Sequence, residues 1–132
     1  MPGAEPALVH KHLETLRIRQ LAEWDVLAFI HRHGTSIASA EQIARLLGYG
    51  NAPVGAALDG LASAGLVQRS RNAHGVRLYR CTANFADESR RRSLEELMKV
   101  AEERQGRLLI LRHLQQAAAG HQRRLRGGLH LA

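Results

Sequence analysis

Apolar residues recur along most of the chain at the three- and four-residue spacing of one helical face, and in one place the period shortens to two. Leu8, Val9, Leu13, Leu16 and Ile18 mark a first helix within Pro6 to Gln20, with Pro6 suited to an opening turn. The pattern resumes in Leu21, Trp24, Leu27, Ala28 and Ile30 and stops near Gly34, where His-Arg-His-Gly-Thr reads as a C-cap and turn. Ser39 and Gln42 then spell a capping box. The helix behind it carries Ile43, Ala44, Leu46 and Leu47 and ends at Gly48. From Asn51, the positions Val54, Leu58, Leu61 and Gly65 share one face, flanked by Ala57 and Ala62.

The shorter period begins at Leu66. Leu66 to Arg71 and Val76 to Thr82 read as two strands of a hairpin joined by a turn at Asn72 to Gly75. Tyr79 and Cys81 alternate onto a common face that would cover the helices. Beyond the hairpin, Leu94, Leu97, Ala101, Leu108 and Leu111 form an apolar stripe widened by Met98, Leu109 and Leu114. Its helix could start at an Asn84 cap or at a second capping box, Ser93 with Glu96. Running unbroken from Asp87 to Ala119, it would be about 50 Å long. A small domain cannot cover that much apolar surface, so a second copy is expected to cover it. Gly106 disfavours the helix by about 1 kcal/mol relative to alanine and marks a bend or a close crossing.

Composition narrows this picture only a little. The 132 residues fit one domain with long terminal elements, and 4% aromatic residues point to a core of Leu, Ala, Val and Ile. The expected class is therefore mainly α with a small β-hairpin. A formal net charge of +7 favours a polyanionic partner, nucleic acid before an anionic membrane. Cys81 is the single cysteine, so neither an internal disulfide nor a multi-cysteine zinc site can form within one chain. No apolar run reaches the roughly 18 residues of a membrane span, and the N-terminus lacks signal-peptide character, so a soluble cytoplasmic protein is expected.

The charged residues cluster where an anion could use them. Arg69, Arg71, Arg77 and Arg80 all lie on the hairpin arms. Asp59 would repel phosphates and is expected to pair with a neighbouring arginine, whereas Arg90 to Arg92 either extend the basic surface or, as the favoured reading, form the solvated face of a helix. Cys81 reads as a structural cysteine rather than an oxidation sensor, which needs an exposed electropositive setting. His10 with His12, and His31 with His33, lack the i, i+4 spacing that brings two imidazoles together on one helix. No metal site and no cofactor is expected. No phosphate loop, serine elbow, zinc-protease motif or paired carboxylates point to an enzyme.

Helix, capping-box helix, helix and arginine-bearing hairpin make a winged helix-turn-helix, and with a long helix at each end the order resembles the MarR family of bacterial transcription regulators. The match is best from Leu21 to Thr82. Val54, Leu58, Asp59, Leu61, Gly65, Leu66, Val67 and Arg69 occupy the family's expected places in the recognition helix and first wing strand. The resemblance implies a homodimer that reads a two-fold related site in double-stranded DNA and is sometimes released by a small-molecule effector. Spacing, composition and resemblance together divide the chain into an N-terminal arm and helix at 1–20, the winged domain at 21–85, a dimerisation helix at 86–119 and a Gly-rich basic tail at 120–132 that is expected to be flexible.

On this reading Asn51, Ala52, Ala56, Asp59, Gly60 and Ser63 lie at the groove, and Ser39 and Gln42 at a helix start near phosphate. Arg69, Arg71, His74 and Arg77 lie on the wing, while Leu94, Leu97, Met98, Ala101, Leu108 and Leu111 serve dimerisation. Two departures stand out. Asn-Ala-His-Gly replaces the Asp-Arg-Arg type of wing tip, and Ala56 and Gly60 stand where family members commonly carry long polar or basic residues. The alternative functions are a winged-helix protein-interaction module and a nonspecific architectural DNA binder.

Overall fold

A computed structural model describes residues 6–33, 39–81 and 87–116. The sequence expectations for Met1 to Glu5, the turn at Gly34, Thr82, Asn84 and everything beyond residue 116 fall outside them. Helix α1 spans Pro6–Leu16, α2 Leu21–Arg32, α3 Ala40–Leu47 and α4 Asn51–Ser63. Strands β1 (Val67–Arg71) and β2 (Arg77–Cys81) follow, then α5 at Glu88–Val100 and a last helix, α6, at 104–116. Mostly helical, with one two-stranded antiparallel sheet, this is a winged helix-turn-helix.

The winged core is built around α2, which contacts α3, α4 and β2. Its buried residues Trp24, Val26, Leu27, Ala28 and Ile30 occupy more than one face, as a helix enclosed on several sides requires. Against them α4 buries Val54, Ala57, Leu58 and Leu61, the spacing anticipated from the sequence. Truncating a fully buried leucine such as Leu58 is expected to cost about 2–5 kcal/mol.

Local chemistry fixes the ends of these elements. The Ser39 hydroxyl accepts from the Gln42 amide at 3.2 Å, and the Gln42 side chain accepts from the Ser39 amide at 3.0 Å, so the capping box forms as expected. At the other end of α3, Gly48 adopts φ 77°, which a side chain would strain. Gly65 does not continue the α4 face, as its spacing proposed. It lies beyond the helix at φ 78°, and the Leu66 amide turns back to the Leu61 carbonyl at 2.9 Å to launch β1.

The terminal layer differs from its sequence reading in two respects. First, α5 starts at neither proposed cap: Asp87 is the N-cap, its carboxylate accepting from the Ser89 and Arg90 amides. Ser93 is buried inside α5 and hydrogen-bonds His12 of α1 at 3.0 Å, so the Ser93–Glu96 pattern is helix interior. Second, the long helix is interrupted at 101–103. A Cβ on Gly106 would stand 1.9 Å from the Val100 carbonyl oxygen, which makes Gly106 the point of close crossing. Arg107 seals the corner by donating to the Ala101 and Glu102 carbonyls at 2.9 and 3.2 Å.

The apolar stripe is therefore partly covered by the chain itself. Helix α1 packs on α5, and Val9, Leu13 and Leu16 join Leu94, Leu97 and Ala101 in the buried core. On α6, Ile110 and Leu114 are buried.

Candidate nucleic-acid interface

Helix α4 presents one open side. Ala52, Ala56, Asp59 and Ser63 are exposed and recur at helical spacing, with Asn51 exposed in the first turn. Gly60, expected with them, is turned towards α2: a Cβ there would meet the Glu23 carboxylate at 2.3 Å. Glycine permits the close approach of α4 to α2, while the other Glu23 oxygen accepts from the Arg19 and Gln20 amides. The open side thus carries small residues, one carboxylate and no long hydrogen-bond donor.

The turn that aims α4 is pinned to α2. The Tyr49 hydroxyl donates to Asp25 at 2.5 Å. Burial, then the hydrogen bond and the negative charge of Asp25, push the Tyr49 hydroxyl from 10.0 up to about 12, so it is a donor throughout the neutral range. At the far end of α4, the Arg90 guanidinium of α5 donates to the Ala64 carbonyl. Arg90 sits in the first turn of α5, where a cation is unfavourable for that helix dipole, and reaches the C-terminal end of α4, where it is favourable. Its sequence reading as part of a solvated face is corrected by this contact. Arg91 and Arg92 do remain exposed, each near Glu88.

In the hairpin Val67 pairs with Cys81, Arg69 with Tyr79 and Arg71 with Arg77, while Gln68 faces Arg80 and Ser70 faces Leu78. Side chains alternate across a strand, so Val67, Tyr79, Arg69, Arg71 and Arg77 share the face that covers the helices. Val67 and Tyr79 are buried, and the arginines lie exposed along the ribbon towards its tip. Arg69 reaches Asp59 of α4 at 3.2 Å, the pairing expected for that carboxylate. On the opposite face Arg80 donates twice to Gln68, at 3.1 and 2.9 Å. Arg71 and Arg77 have no such partner among the described residues, and they stand directly across from each other.

Asn72 shapes the tip. Its side-chain oxygen accepts from the His74 and Val76 amides at 2.8 and 3.0 Å, and Gly75 takes φ 79°. His74 is exposed on that turn. The oxygens of Ser39 and Gln42 are committed to the α3 cap, so these two candidates sit at the helix start with their capping groups engaged. Cys81 is half-buried and burial pushes its thiol upward, away from the reactive thiolate.

Behind the interface, a cleft of about 200 Å³ opens between α2, the end of α3 and the α5–α6 corner, lined by Trp24, Asp25, Arg32, Leu47, Ala101 and Arg107. Among the described residues no group of three or more His, Cys, Asp or Glu could hold a metal ion, and no helix is long and apolar enough to cross a membrane.

Residues 19–77 match the model of the MarR family, a span that runs from the start of α2 through the turn of the hairpin. No curated protein matches the chain at a significant level. MarR proteins are transcription regulators, and such a domain points to DNA binding. With the three helices, the Asn72-shaped wing and this match in the same segment, the chain carries a MarR-like winged helix-turn-helix.

Proposed function

We propose that the chain is a dimeric cytoplasmic transcription regulator that lays α4 in the major groove of duplex DNA and sets its hairpin against the flanking phosphates. The Arg71–Arg77 pair carries this reading. Like charges directly opposite on a ribbon destabilise it, and a phosphate between or beside them reverses the sign. Arg69 and Arg80 already have partners, so the two arginines near the tip are the ones available to an anion. Removing both is expected to weaken all duplex sequences alike and to lower the salt-dependence slope by about 1.8, at 0.9 per phosphate. Affinity and slope unchanged in Arg71→Ala/Arg77→Ala would overturn the wing assignment.

Sequence reading falls to a narrow set of groups. Asn51 and Ser63 offer hydrogen bonds, Ala52 and Ala56 offer contact with thymine methyls, and DNA shape supplies the rest. Selection from random duplexes separates the outcomes: an enriched palindrome with half-sites about 34–36 Å apart marks a dimeric specific regulator. Strong low-salt binding without enrichment marks an architectural binder instead.

In the dimer, Leu94, Leu97 and Ala101 are buried within their own chain, so the second copy would cover exposed Leu8 and Leu108, with half-buried Met98 and Leu111. The cleft beside Trp24 and Arg107 is the effector site in this reading. Its volume, below the roughly 300–1,000 Å³ of drug-sized sites, restricts it to a small ligand.

A second reading is favoured by Leu46, which is 68% exposed on α3 within the helix-turn-helix. As a protein-interaction module, the small-residue side of α4 would admit a partner helix. Ala56→Arg separates the two: it should abolish such docking and spare or improve DNA affinity, and the reverse result eliminates the interaction module.

A further inference from the structure

We infer that His10 and His113 form a proton-sensitive joint between the first and last helices, closed while the pair carries at most one extra proton and opened by mild acid. His10 Nδ1 lies 3.2 Å from His113 Nε2, and the rings meet edge to face with centroids 4.7 Å apart. His10 belongs to α1 and His113 to α6, 103 residues along the chain. The contact therefore ties together two elements that only the tertiary fold brings into register.

Proton counting gives the joint its pH dependence. A hydrogen bond between two imidazoles needs one nitrogen to donate and the other to present a lone pair. His10 Nε2 lies 3.1 Å from the Glu14 carboxylate, one turn along α1, which favours the proton on that nitrogen. The neutral ring then aims an unprotonated Nδ1 at His113, which donates from Nε2. One added proton is accommodated: the ring that carries it donates across the pair, and the other ring presents a lone pair. A second added proton leaves two donors and two positive charges facing each other, with no acceptor between them.

The surroundings act in a mixed way. Glu14 is the carboxylate that favours charge on the pair, and no other ion pair among the described residues involves either ring. No hydrogen bond or ion pair among the described residues joins either ring to α5, whose Ser93 is engaged by His12 instead. Burial, then the proximity of His10, hold His113 below its ordinary value of 6.5, and Glu14 pulls it partly back. The unfolded chain thus binds more protons than the folded one below about pH 6.5, so this contribution is present above that pH and lost as pH falls. The donor geometry selects protons over a metal: Glu14 sits on the nitrogen of His10 that faces away from His113, so the three groups do not converge on one point.

The experiment uses the full chain with chelator present. Thermal midpoints are measured from about pH 8 to about pH 5, a range that brackets histidine titration, for the unmodified protein and for His113→Gln. Glutamine can donate to neutral His10 or accept from charged His10, so the acid-induced fall in midpoint should shrink in the variant. An equal fall in both proteins would overturn the joint. Imidazole C–H resonances of the unmodified protein give a readout that does not depend on the variant folding. Coupled titration, with His113 lagging below its ordinary value, supports the joint. Independent single steps at the ordinary value for both rings refute it.

Discussion

The winged core and the terminal helical layer hold their turns in different ways. Among the described residues of the core, the turns carry local signals: Ser39 with Gln42 opens α3, Gly48 closes it, Gly65 leads from α4 into β1, and Asn72 with Gly75 folds the wing tip, with Tyr49 on Asp25 and Arg90 on Ala64 added between elements. In the terminal layer the decisive contacts join elements. Ser93 meets His12, His113 meets His10, and Gly106 lies against the end of the preceding helix. A domain whose turns are largely encoded locally presents a defined surface, whereas a layer held by contacts between helices can respond to what displaces them. The first arrangement suits a binding face, and the second suits a part of the molecule that transmits a signal.

Two glycines test the difference most strongly. A methyl group at Gly106 would stand 1.9 Å from the Val100 carbonyl oxygen, a backbone atom that cannot move aside without opening the α5–α6 corner. Gly106→Ala should destabilise the protein by about 3 kcal/mol or more, despite alanine's helix propensity. At Gly55 in α4 nothing lies within 4 Å of an added Cβ, so Gly55→Ala should stabilise by about 0.5–1 kcal/mol. Denaturant unfolding of both variants reads the two signs. A mild effect at Gly106 would mean that the corner is not held by close crossing.

Legibility follows the same division. The capping box, the stop at Gly48, the hairpin turn and the Asp59–Arg69 pairing depend on neighbours in sequence or on charge complementarity between adjacent elements, and all could be read from the residues. The break at 101–103 could be read only in part: Gly106 signalled a bend or crossing, but the partner backbone that makes the crossing tight is a tertiary fact. Helical spacing alone puts Gly60 on the open side of α4, because it does not reveal the approach of Glu23. Arg90 gave one faint signal, a cation at what proved to be a helix start. That signal becomes visible only once Asp87 is known to be the cap.

Smaller effects probe how α4 is aimed. Tyr49→Phe removes the hydrogen bond to Asp25 and should cost about 1–2 kcal/mol, as for a bond to a charged acceptor. The Tyr49 hydroxyl has its folded-state value raised, so its contribution is fully present below the ordinary value of 10.0 and fades as pH rises towards about 12. The stability gap between the two proteins should therefore stay constant through neutral pH and close in alkali. A gap that changes between about pH 6 and pH 9 would assign the contact another role. Ser39→Ala, which removes the α3 cap, should cost about 1 kcal/mol with no such alkaline dependence.

The smallest effect on stability falls where binding should respond most plainly. Asp59 and Arg69 are both substantially exposed, and an ion pair of that kind contributes at most about 1 kcal/mol. Asp59→Ala should therefore unfold almost as the unmodified protein does. On the proposed interface it removes a negative charge from the open side of α4 and releases Arg69 to join Arg71 and Arg77 beside the phosphates. DNA affinity should rise, and the salt slope should steepen by about 0.9 if Arg69 engages one phosphate. Titration of a duplex at two salt concentrations reads both quantities. A loss of affinity in Asp59→Ala would instead make Asp59 a contact of its own, accepting from a cytosine amino group in the groove, and would leave Arg69 as the residue that holds it in place.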